Sequence, residues 1–253
     1  MILRIALIIN IIMINIFAYG ADGTIWFGNP DGSPMIFRTG SEETIPVWVQ
    51  TNSDVYIAAV HIPLATNDRY ITQRQAVILF QPFTNNDVPK GYDPGWDAIS
   101  GLNPKPIEKK EGFTNQSILG FMDLAGKRNL PLHCEEKCKV AEFTVTTVAD
   151  DSLKGNAYDV MTEGLQVPNG GLHFSDTLGV RTFIFDVVFS KIYFVFPGDI
   201  NDDHQINEQD IAELQDHLTK AKEIPWPDER ADLNNDSEIN NDDLVYLESM
   251  IKK

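Results

Sequence analysis

Through much of its first 196 residues the chain alternates apolar and polar positions with a period of two. In KVAEFTVTTV (139–148), Ala141, Phe143 and Val145 alternate with Glu142, Thr144 and Thr146, the pattern of a strand with one buried and one wet face. TIPVWVQT (44–51), VYIAAVHIPLA (55–65) and RTFIFDVVFSKIYFVF (181–196) are also rich in β-branched and aromatic residues, and Asn, Asp, Gly and Pro clusters separate them. Phe183, Phe185, Val187 and Phe189 alternate as well, but the opposite face of that segment is mostly apolar, which predicts a strand near a sheet centre. No stretch in this part has the length and period of a helix, so residues 21–196 are expected to form a mainly β domain, a β-sandwich. Between Gln81 and Gln116, five prolines and few apolar runs predict a long loop. Its Phe83, Tyr92, Trp96 and Phe113 either cover a sandwich edge or serve as contact aromatics.

After Pro197-Gly198 the period changes. Ile211, Leu214 and Leu218 recur 33 residues later as Leu244, Leu247 and Ile251, and the i, i+3, i+7 spacing puts each trio on one helical face. Neither short helix can bury that face alone, so the two units must pack against each other. IPWPDER (224–230), with two helix-stopping prolines, is the connector. Composition shifts at the same point: residues 198–253 hold 16 acidic and 5 basic residues. A boundary near 197, with a small all-α module over 197–253, follows.

Charge narrows the choice of partners. The formal net charge of −17 argues against nucleic acid or an anionic membrane surface and in favour of cations. Residues 1–20, MILRIALIINIIMINIFAYG, set Arg4 before an apolar run from Ile5 to Phe17 and end in small residues, the layout of a secretory signal cut after Gly20. The alternative is a retained N-terminal anchor, although the run is shorter than the ~20 residues of a membrane span. Cleavage would remove Arg4 and no acid, giving −18, and would leave a secreted or cell-surface protein of bacterial type with no hold on the membrane. Export would also favour a disulfide between Cys134 and Cys138 in HCEEKC. A zinc site with His133 lacks a distant fourth ligand, and two free thiols are the third reading.

The acidic segment contains a repeat. DINDDHQINEQD from 199 and DLNNDSEINNDD from 232 each place Asp, Asn, Asp at loop positions 1, 3 and 5 and Asp at position 12. Asp199, Asn201, Asp203 and Asp210 form the first set, and Asp232, Asn234, Asp236 and Asp243 the second. Calcium takes six to eight oxygens, and alternate side chains of a tight 12-residue loop converge on one ion. Position 7 supplies only its carbonyl, from Gln205 and Glu238, and position 9, Asn207 and Asn240, acts through water. Two calcium ions are therefore expected. Ile206 and Ile239 at position 8 point inward as apolar plugs.

The duplicated ligands and helix faces resemble the type I dockerin family over about 199–251. The resemblance implies two EF-hand-like calcium loop–helix repeats that dock to a cohesin-type protein module, often in extracellular polysaccharide-degrading assemblies. It also implies partner contacts at loop positions 10 and 11, here Glu208-Gln209 and Asn241-Asp242. Because the pairs differ, the two faces are not expected to be equivalent. Position 6, where the pattern wants glycine, holds His204 and Ser237. IPVWVQTNSDVYIAAVHIPLA is similar to the start of cohesin and carbohydrate-binding sandwich domains.

Two functions compete. The first is a non-catalytic scaffold or binding protein whose sandwich contacts protein or polysaccharide. The second is a glycoside hydrolase carried by the docking module, which would need a pair of carboxylates in a cleft. No G-x-S-x-G or H-E-x-x-H occurs, and Glu42-Glu43, Glu135-Glu136 and Glu163 read as turns or wet faces. His61 and His173 read as isolated strand histidines. The binding function is the better supported.

Overall fold

A computed structural model describes residues 21–57, 59–79, 97–106, 112–122, 133–164, 172–175, 182–220 and 228–252. Among the described residues, fourteen strands precede two α-helices. They are β1 Gly23–Phe27, β2 Met35–Phe37, β3 Glu42–Thr51, β4 Ala59–Asn67, β5 Ile71–Ile78, β6 Asp97–Pro106, β7 Phe113–Met122, β8 Cys138–Thr147, β9 Asn156–Tyr158, β10 Met161–Glu163, β11 His173–Ser175, β12 Thr182–Phe183, β13 Phe185–Phe189 and β14 Ile192–Phe194. The helices are α1 Glu208–Leu218 and α2 Asn241–Ile251.

Two sheets face each other. One runs β13-β1-β3-β8-β5, the other β12-β11-β4-β7-β6 with β10 added on β4, and a small third sheet runs β2-β14-β9. Period-two alternation puts Ile25, Phe27, Ile45, Val47, Val49, Phe143 and Val145 of the first sheet in one core with Val60, Ile62, Leu64 and Phe174 of the second. Phe27 and Phe189 stack at 4.9 Å, and Phe174 meets Phe185 at 4.2 Å. The mainly β fold and the two-helix module are thus as expected.

Two expectations fail. The apolar segment 181–196 is not one central strand: β12 joins the second sheet, β13 lies at the edge of the first, and β14 is the middle strand of the third. It is apolar on both faces because it changes sheets, and Ser190 breaks it by donating its N–H to Phe27 O at 2.9 Å. Residues 81–116 are not all loop either, since Asp97–Pro106 pairs with Phe113–Met122 as an edge strand. Pro104 and Pro106 are tolerated there because an edge leaves one side of the backbone unpaired. Phe113 is buried against Ala65, while Phe83, Tyr92 and Trp96 lie outside the described residues.

A disulfide joins Cys134 and Cys138, with the Cα atoms 5.8 Å apart. The short loop is tied to β3: Cys134 N donates to Thr51 Oγ1 at 2.9 Å, and Gln50 Nε2 donates to Glu135 O at 2.9 Å. His61 and His173, far apart in sequence, stand opposite each other across β4 and β11.

Candidate metal-binding and docking site

The two acidic loops fold alike, hydrogen bond for hydrogen bond. Asp199 accepts from the N–H groups of Asp203 and His204, both at 3.0 Å, and Asp232 accepts from those of Asp236 and Ser237, both at 3.1 Å. The Asp203 N–H is shared with Asn201 Oδ1 at 3.1 Å, which brings the oxygens of positions 1 and 3 to one side of the turn. Asp236 does the same with Asn234 Oδ1 at 3.0 Å. Asp203 and Asp236 in turn accept from the N–H of Gln205 and Glu238, at 2.8 and 2.9 Å.

Position 12 closes each loop. Asp210, fully buried, accepts from Ile200 N at 2.7 Å and Asn207 N at 2.9 Å, while Asp243 takes Leu233 N at 2.7 Å and Asn240 N at 2.9 Å. The same residues open the helices. Asn207 and Asn240 are N-caps that accept from Gln209 N and Asp242 N, and each forms a capping box with the position-12 aspartate. The position-9 side chains are therefore committed to capping, a role the ligand spacing did not reveal.

The backbone repeats too. Asp202 and Asn235 at position 4 have φ of 63° and 61°, and His204 and Ser237 at position 6 have 62° and 69°. Position 6 thus adopts the left-handed conformation that glycine meets without strain. Beneath the loops, Leu214 and Leu247 are fully buried with Ile200, Ala231 and Leu233, and the inward positions Ile206, Ile211, Leu218, Ile239, Leu244 and Ile251 pack around them.

Electrostatics at the first loop favour a cation. Burial pushes the Asp199 carboxyl above the usual carboxylate range, and nearby Asp210 adds to the effect, against the opposing backbone hydrogen bonds and Arg230. Among the described residues, no three His, Cys, Asp or Glu side chains by themselves form a metal-holding group. The donor set fits a hard cation through mixed chemistry instead, because each loop combines three aspartates, one asparagine and backbone carbonyls, all offering oxygen.

The expected contact pairs, Glu208-Gln209 and Asn241-Asp242, are exposed on the first turns of α1 and α2. Beside the second pair lie Val245 and Tyr246, 66% and 50% exposed, outside the helix-face pattern of Leu244, Leu247 and Ile251. Their equivalents on α1 are Ala212 and Glu213, so the two helices present different chemistry.

A junction with the sandwich was also missed. Arg230, 1% exposed, reaches the Tyr193 hydroxyl and Asp202 Oδ1, both at 2.5 Å, and so links β14 to the first loop. Burial opposes the Arg230 charge, but the hydrogen bonds to Tyr193 and Asp202 outweigh it and raise the pKa. Arg38 Nη2 donates to Asp232 O at 2.8 Å, tying the second loop to the end of β2. Gly155, with φ of 75°, leaves room for the His204 imidazole, which a Cβ would strike. The only sequence signal for this contact is that Arg230 is one of few cations in an acidic segment.

Two of the carboxylates weighed as catalytic accept hydrogen bonds from nearby backbone or hydroxyl groups. Glu43 accepts from Arg38 N at 3.1 Å and Ser41 Oγ at 2.7 Å, and Glu163 from Leu172 N at 2.7 Å. No helix among the described residues is long and apolar enough to cross a membrane.

No curated protein matches the chain. Among solved structures, it is similar to the sixth cohesin of scaffoldin B from Acetivibrio cellulolyticus, solved in complex with a Cel5 dockerin mutant, at 12% identity and a TM-score of 0.43, covering 68% of this chain and 98% of that one. It is also similar to a type II cohesin from Bacteroides cellulosolvens (13%, 0.42, covering 68% and 99%) and to a non-cellulosomal cohesin from Archaeoglobus fulgidus (14%, 0.38, covering 73% and 99%). At scores below 0.5 these are likenesses only. The family model described as "Dockerin type I domain" matches residues 197–252, the segment that holds both loops and both helices. Residues 197–252 therefore match the dockerin type I domains, which are generally calcium-binding modules, and stand here beside a β-sandwich.

Proposed function

We propose that this is an exported, non-catalytic docking protein whose C-terminal module binds two calcium ions and attaches the β-sandwich to a cohesin-type partner in an extracellular, polysaccharide-related assembly. The observation that carries this reading is the duplicated loop: two oxygen-rich turns repeat each other's hydrogen bonds, and each leads into a capped helix. Asp199, Asn201, Asp203, Asp210 and the Gln205 carbonyl would hold one ion. Asp232, Asn234, Asp236, Asp243 and the Glu238 carbonyl would hold the other.

Bound calcium neutralises carboxylates crowded on short turns. The chain's own part is to close each loop through Asp210 or Asp243, start the helix on Asn207 or Asn240, and set Leu214 against Leu247. In so small a module metal-binding free energy becomes folding free energy. The ordered helix starts then display Glu208-Gln209 and Asn241-Asp242 to the partner.

Calorimetric titration of the mature chain with calcium tests the first half, with two ions per chain expected. Capture of the chain by immobilised cohesin modules, with calcium and with chelator, tests the second. A stoichiometry of zero, or capture indifferent to chelator, would refute the reading.

A further inference from the structure

Large aromatic side chains normally fill cores. Both tryptophans among the described residues stand outside the core instead. Trp26 on β1 and Trp48 on β3 are directly opposite each other on the outer face of the first sheet, and both are half-buried. The row continues to Val188 on β13 beside Trp26 and to Lys139 on β8 beside Trp48. Four neighbouring strands make this strip about 14 Å long, enough for an oligomer. We propose that it is the floor of a binding site for a neutral, β-linked glycan chain.

The surroundings set the chemistry. Thr24 and Gln50 form the adjoining row on one side. On the other side, Pro46 leads along β3 into a cavity of about 530 Å³, within the size range of ligand sites. Glu42, Glu43, Glu142 and Glu229 line that cavity with Lys139, which is paired with Glu142. This arrangement offers two indole rings bordered by many hydrogen-bond acceptors and by two lysines, Lys137 over Trp26 and Lys139 paired with Glu142. A pyranose whose substituents are all equatorial matches it, with apolar C–H faces to stack on the rings and hydroxyls at its edge to donate to the carboxylates. The carboxylates repel polyanions such as nucleic acid or acidic polysaccharide.

Two details sharpen the fit. Lys137, held by Pro30 O at 2.6 Å, sets its ammonium over the Trp26 ring, 4.7 Å from its centre, so a sugar stacking on Trp26 would displace this side chain and keep it as an edge donor. The Trp48 Nε1 hydrogen is shielded from water and, among the described residues, has no acceptor. A protein partner suits the strip less well, because protein hot spots seat side chains in pockets and this row is shallow.

The site uses none of the metal-loop residues, so it can be tested apart from docking. Full-length mature protein is titrated with cellohexaose and xylohexaose, with polygalacturonate as the anionic control, and followed by calorimetry and tryptophan fluorescence. A neutral hexasaccharide should bind and change the fluorescence, and the anionic chain should not. Trp26→Ala and Trp48→Ala should each weaken binding about tenfold, the order expected for losing one stacked ring. Trp48→Phe should retain part of it and guards against misfolding, which thermal melting also reports. Cohesin capture should be unchanged in every variant. Failure of wild type to bind either hexasaccharide, or binding unaltered in the double variant, overturns the proposal. Loss of cohesin capture in the tryptophan variants would also overturn it, because the strip would then be a protein-docking face.

Discussion

Asp199 and Asp232 occupy position 1 of their loops, and each accepts two backbone N–H groups. Asp199→Ala and Asp232→Ala should each lower the calorimetric calcium stoichiometry from two to one; a variant that still binds two ions would show that position 1 is dispensable. Ser237 offers a test in the opposite direction. Its φ of 69° costs a non-glycine residue about 1 kcal/mol. Ser237→Gly should remove that strain and tighten the second site about fivefold, provided the added freedom of the unfolded chain does not offset it. His204 has the same strain but also packs against Gly155, so His204→Gly is expected to gain less.

At the scale of elements, much was legible. The period-two runs at 44–51 and 139–148 became β3 and β8, and the 33-residue offset carried both loops and both helix faces. Segment 181–196 misled because apolarity on two faces fits a central strand and a sheet-switching chain equally well. β6 was hidden because its prolines read as loop, although a sheet edge accepts them. Asn207 and Asn240 were placed correctly by spacing, but not their work as caps, because a ligand pattern and a capping box share the same Asn-x-x-Asp letters. Asn240→Ala should therefore destabilise the calcium-loaded module by about 1 kcal/mol and reduce the helical circular dichroism signal at intermediate temperature. An unchanged melting curve would mean that the cap contributes nothing.

For the whole molecule, the junction decides whether module and sandwich unfold together. The sequence marks Arg230 only as a rare cation in an acidic segment and not as a link, because its partners, Tyr193 and Asp202, lie on either side of the expected boundary. Arg230→Met should lower stability by about 2 kcal/mol, the scale of losing a hydrogen bond to a charged group, since the Asp202 left behind is half exposed, and split one calorimetric transition into two. Gly155→Ala, which drives a methyl group into His204, should loosen the same contact without touching a charge. If both variants still unfolded in one step, the units would be joined by something other than this junction.

Strand direction has a mechanical consequence. β1 and β13 run parallel, as do β2 and β14, and β14 leads into the docking module. When the module is held by a partner and the chain is pulled from residue 21, the load reaches opposite ends of the β1–β13 ladder. Its hydrogen bonds then share the force in shear instead of opening one after another like a zipper. A tethered protein wired in this way should resist stretching far better than its thermal stability suggests, and single-molecule pulling from residue 21 against the module would show it as one high-force rupture.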